Sequence, residues 1–68
     1  MKVTFEFCGE RYSPTLADAR DHRVSNEKTL FVVDCFSGVS VDSDGFDDVM
    51  YLLEGYFALL LELEHASA

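Results

Sequence analysis

Residues 2–8 (KVTFEFC) alternate, with Val3, Phe5 and Phe7 on one face and Thr4 and Glu6 on the other. That period of two predicts a half-buried strand, which Gly9 ends. Ser13 and Pro14 suit an N-cap followed by proline at the first helical position, and a short helix to about Arg23 follows from them. A long loop, or an additional short strand near Arg11 and Tyr12, competes with that helix, because Leu16 and Ala19 are its main apolar contacts. Turn chemistry occupies Ser25 to Lys28. Residues 29–36 (TLFVVDCF) then put Phe31, Val33 and Cys35 on one side and Leu30, Val32 and Phe36 on the other, with Asp34 among them. An apolar set on both faces predicts a central strand covered on both sides. Ser37 and Gly38 read as a two-residue hairpin connection, and Val39 and Val41 begin a shorter partner strand.

From about residue 46 to 65 the period changes to that of a helix. Phe46, Val49, Met50, Leu53, Phe57, Leu60 and Leu61 recur at spacings of three and four. Asp47, Tyr51, Glu54, Ala58, Glu62 and His65 form the opposite stripe. Asp44 stands as its N-cap, with Asp47 three residues on. Leu52, Tyr56, Leu59 and Leu63 widen the apolar side beyond what one small sheet face needs. Gly55 costs about 1 kcal/mol relative to alanine in mid-helix, which points to close packing against it.

The expected fold class is therefore a small α+β domain. It has a three-stranded, mostly antiparallel sheet, a long C-terminal helix on one face, and a short helix or loop between strands 1 and 2. If residues 13–23 are helical and cross over, those two strands become parallel. Phe5, Phe7, Phe31, Val33, Val41, Val49, Leu53, Phe57 and Leu60 are the expected core. Residues 1–68 form one domain, near the lower size limit for a chain held by a single core. A hydrophobic content of 49% separates it from a disordered acidic tail.

Charge changes this picture. All five basic residues (Lys2, Arg11, Arg20, Arg23, Lys28) lie within the first 28, where five acids offset them. The remaining forty residues carry eight carboxylates and no lysine or arginine, so the net charge of -8 belongs to that segment. Such a surface repels nucleic acid and anionic membranes and attracts proteins that hold a phosphate backbone. Capping and the helix dipole account for part of the cluster Asp42 to Asp48. They do not account for Glu62 and Glu64, which oppose the dipole in the last turns, or for Glu54. Asp42, Asp44, Asp47, Asp48, Glu54, Glu62 and Glu64 are the candidate partner-binding residues, against the alternative of a solvated face that keeps a small chain soluble.

Other chemistry is excluded motif by motif. An EF-hand loop starting at Asp42 would need a ligand where Phe46 stands, a glycine at Asp47 and an acid at Leu53. His22 and His65 have no second ligand at a metal spacing and no neighbouring nucleophile, so no catalytic residue, metal or cofactor is expected. Asp18, Asp21 and His22 read as a solvated face with local charge pairing. Cys8 and Cys35 read as reduced core thiols, bridged only if their strands are neighbours. The apolar run from Val49 to Leu63 is too short for a membrane span and carries Glu54 and Glu62. A cytoplasmic protein without a signal peptide is expected.

The acidic stretch Asp42 to Asp48, with the acidic helix face Glu54, Glu62 and Glu64, resembles the small acidic proteins that phages make against bacterial defence, in particular type I anti-CRISPR proteins. The resemblance implies a non-enzymatic inhibitor in the host-cell cytoplasm. It would bind the crRNA-guided surveillance complex and occupy the basic channel that otherwise takes target DNA, as a DNA mimic. Asp47, Glu54 and Glu62 lie on the order of 10–12 Å apart along the helix, so mimicry needs Asp34, Asp42 and Asp44 to fill the gaps. The alternative is a structural interaction module, such as a small homodimer or antitoxin-like partner, docking through Leu52, Tyr56, Leu59 and Leu63.

Overall fold

The computed structural model describes residues 2–67, with side chains described through residue 66. A strand β1 (Phe5–Phe7) and a strand β2 (Glu10–Tyr12) form a two-stranded antiparallel hairpin. Three helices follow: α1 (Leu16–Val24), α2 (Lys28–Cys35) and α3 (Phe46–Ser67). The class is α+β with a long C-terminal helix, as expected. The sheet has two strands among the described residues rather than three, and the expected central strand is a helix.

The hairpin forms because Cys8 and Gly9 adopt φ values of 51° and 80°. Two consecutive left-handed residues make a type I′ turn, whose twist matches that of the strands. Phe5 pairs with Tyr12, Glu6 with Arg11 and Phe7 with Glu10. Phe5, Phe7 and Tyr12 face the helices, while Glu6 and Arg11 form an exposed ion pair at 3.2 Å. Both sequence readings of this stretch are realised, the short strand at Arg11 and Tyr12 and, after it, the short helix. Cys8 sits exposed in the turn and Cys35 is half-buried on α2; both thiols are free, so Cys8 is not a core residue.

α1 begins two residues later than Ser13 and Pro14 suggest. Thr15 is the N-cap in a reciprocal capping box: the Asp18 backbone N–H donates to its hydroxyl, and its own N–H donates to the Asp18 carboxylate. The far end is closed by Lys28, whose ammonium donates to the His22 and Arg23 carbonyls. The His22 carbonyl also accepts from the Ser25 N–H, so the last carbonyls of the helix are satisfied from both the cap and Lys28.

Residues 29–36 are helical because their apolar positions also satisfy the spacing of four. Val32 and Phe36 are fully buried, Phe31 and Cys35 are half-buried, and Leu30 is exposed. Ser37 and Gly38 then end α2 instead of turning a hairpin. The Ser37 N–H donates to the Asp34 carbonyl and the Gly38 N–H to the Val33 carbonyl at 2.8 Å, with φ of 59° and 86°. This is a Schellman termination. Val39 packs into the core from the following loop, and Val41, placed in the expected core, is exposed there.

The core consists of Ala19, Val32, Phe36, Val39, Phe46, Leu53 and Phe57, with Phe5, Phe7, Tyr12, Phe31, Val33, Val49 and Leu60 packed around it. Rings join the elements. Phe7 meets Phe36 and Phe46 edge-on, Tyr12 meets Phe36, and Phe5 meets Tyr56. Such contacts add roughly 0.5–1.5 kcal/mol each beyond burial. Ala19, with no accessible surface, lets α1 lie close against the rest. The molecule is a slab of 38 × 27 × 17 Å.

Candidate binding surface on the outer face of the C-terminal helix

The surface starts in the loop before α3. Ser40 organises it: its hydroxyl accepts from the Asp42 N–H and its carbonyl from the Ser43 N–H. Gly45, at φ 84°, turns the chain into the helix, and its carbonyl accepts from the Val49 N–H. Gly45 therefore occupies the N-cap position assigned to Asp44 from sequence. A Cβ added at Gly45 would meet the Phe7 ring at 3.8 Å, so the acidic loop runs beside the hairpin.

Asp42 and Asp44 are exposed in this loop, and Asp47 and Asp48 are exposed in the first turn of α3. The four line one open hollow of about 400 Å³ formed by residues 41–48. Their negative charge opposes the positive end of the helix dipole, so the dipole favours Asp47 and Asp48 where they stand. Among the described residues no group of three or more histidine, cysteine or acidic side chains could hold a metal ion.

Glu54 and Glu62 continue from Asp47 along the solvent face of α3, with Tyr51 79% exposed between them. Glu64 does not join them. Its carboxylate pairs with the Arg20 guanidinium of α1 and is partly covered, so a basic residue from the first half of the chain neutralises it. Glu64 is a strut between two helices rather than part of the acidic row. Asp34 is exposed at the end of α2.

The structure also redraws the histidine neighbourhood. His22 is 6% exposed, not on a solvated face, and its ring packs between Phe31 and Phe57. Burial, and then the Lys28 ammonium, lower its pKa, while Glu54 opposes them. Its Nε2 is buried without a hydrogen-bond partner among the described residues. The Tyr12 hydroxyl is likewise buried without a partner of ordinary geometry. Burial first, then the neighbouring Cys35 thiol and Asp18 carboxylate, keep that phenol protonated. The Cys35 thiol is itself pushed up by burial, and so held in its weakly nucleophilic form.

A feature that the spacing of three and four carries is the second seam on α3. Leu52 and Leu59 are 59% and 47% exposed, seven residues apart, with Tyr56 between them at the edge of the core and Leu63, 56% exposed, continuing the register. Gly55 lies beside both leucines, at three and four residues. An added Cβ there would meet nothing within 4 Å, so no internal packing requires the glycine.

No helix among the described residues is long and apolar enough to cross a membrane. Compared with protein-family models, curated proteins and solved structures, the chain matches none.

Proposed function

We propose that this chain is a non-enzymatic inhibitor that binds a basic, nucleic-acid-binding surface of a protein complex. The observation that carries the reading is the row of exposed acids, Asp42, Asp44, Asp47, Asp48, Glu54 and Glu62, none of which has an ion-pair partner among the described residues. Three of the five bases are engaged elsewhere: Arg11 with Glu6, Arg20 with Glu64, and Lys28 with the end of α1. A small domain that needed only solubility would gain from i,i+4 pairs on such a helix, and α3 has no lysine or arginine with which to form them. The type I anti-CRISPR proteins supply the concrete form of the proposal: occupation of the DNA channel of a crRNA-guided surveillance complex.

A gel-shift competition between the chain and target duplex for that complex tests it. The chain displaces DNA, steeply less so with rising salt, and reversal of Asp44, Asp47, Asp48, Glu54 and Glu62 to lysine abolishes the effect. DNA binding unchanged at saturating chain overturns the anti-CRISPR form. Competition that survives charge reversal overturns the electrostatic one. The exposed leucines favour a second reading, a structural subunit docking through α3, for which light scattering after size exclusion is the test.

A further inference from the structure

We infer that the seam of Leu52, Tyr56 and Leu59 on α3 receives an α-helix of the partner, one with aliphatic residues in heptad register and lysine or arginine along its flank. This rests on the reading above for the partner's positive charge and adds where and in what form the partner docks.

The spacing argues for a helix. Alternating steps of four and three, from Leu52 to Tyr56 to Leu59, are the repeat that keeps two supercoiled helices in register. A strand would bury alternate residues at a repeat that does not match it. Gly55 leaves a gap between the leucines, at about 1 kcal/mol to the isolated helix and with nothing inside the chain to fill it. A large side chain from a partner helix fits such a hole.

Charge selects among the possible occupants. Asp48 lies four residues before Leu52 and Glu62 three after Leu59, so carboxylates border the seam on its solvent side. In a second copy packed antiparallel, Asp48 of one helix meets Glu62 of the other; packed parallel, each acid meets itself. Both arrangements set like charges together in a molecule already at net -8. An anionic lipid surface is repelled in the same way. A helix with basic flanks alone is complementary on both counts.

Fluorescence anisotropy with the full chain tests this. The probes are a labelled three-heptad peptide, leucine at its a and d positions and lysine at e and g, and a scrambled peptide of identical composition without a seam. Both are used below their own self-association. At about 0.15 M salt the seam peptide binds at least about tenfold more tightly than the scramble. L52S with L59S removes that margin, and both positions are exposed enough for the fold to survive. Circular dichroism checks that survival, and G55Q offers an independent block with the leucines intact. Equal binding of the two peptides overturns the inference, as does an unaltered margin in both variants. A wild-type dimer in sedimentation that L52S with L59S dissociates also overturns it. Salt-sensitive binding of both peptides alike would leave the acidic-surface reading standing. Seam binding indifferent to salt and to charge reversal would remove that reading and keep the seam.

Discussion

The His22 imidazole lies against the Phe57 ring with centroids 4.7 Å apart and planes tilted by 34°. The contact stacks α1 on α3, and burial there, with the Lys28 ammonium, favours the neutral form of the histidine. Because the folded chain holds the proton less tightly than the unfolded chain, protonation favours unfolding. Stability is therefore complete above the ordinary pKa of 6.5 and falls as pH drops from there toward the lowered folded value. Denaturant midpoints measured between about pH 7 and 5.5 should decline, above the range where most carboxylates titrate. H22L should flatten that slope.

Ser37 holds φ at 59° where the termination of α2 prefers glycine. S37G should raise stability by roughly 1 kcal/mol, since a left-handed non-glycine residue costs about that much. C8N should act in the same direction at the hairpin turn, where asparagine is the favoured first residue before glycine. Thermal melts of the single and double variants check both.

Val32 and Phe36 are fully buried on α2, whereas Leu30 is 52% exposed. F36A should cost about 3–5 kcal/mol, near the whole stability of a domain this size, and V32A less. L30A should change it by no more than about 0.5 kcal/mol. A strand in this place would have made Leu30 and Val32 equivalent, so urea titrations of the two variants separate the architectures directly.

Glu62 and Glu64 differ by two residues and should differ in sign. E64Q loses the Arg20 pair and should cost about 0.2–1 kcal/mol, an effect that weakens in salt. E62Q removes a charge that opposes the dipole and should be neutral or stabilising by up to about 0.5 kcal/mol. G55A should stabilise the isolated chain by about 0.5–1 kcal/mol, since the added methyl meets open space.

α3 was legible because twenty-two residues of helical period outweigh any local ambiguity. Strand β1 was legible from Phe5, Glu6 and Phe7. Residues 29–36 misled because a short run of β-branched and aromatic residues satisfies both periods, and only its closure distinguishes them. That closure was present as Ser37 and Gly38, which fit a helix end as well as a hairpin. The box formed by Thr15 and Asp18 was also in plain spacing, overshadowed by the proline before it. Of the candidate acids, exposure of Asp42, Asp44, Asp47, Asp48, Glu54 and Glu62 followed from pattern. The capture of Glu64 by Arg20 did not, since it joins residues forty-four apart. The second seam was visible as surplus leucine, but the empty space beside Gly55 required coordinates.

A slab 17 Å in its shortest dimension has little more than one helix diameter of depth. Leu53 is buried while its neighbours Leu52 and Glu54 are exposed, so interior and exterior alternate within a single turn of α3. The helix is at once a wall of the core and the face presented outward. A repacking beneath it, at Phe57 or Val32, tilts the row of acids and the leucines by the same angle. If the acids and the seam bind a partner as proposed, substitutions that never reach the surface should still change how tightly the chain binds it.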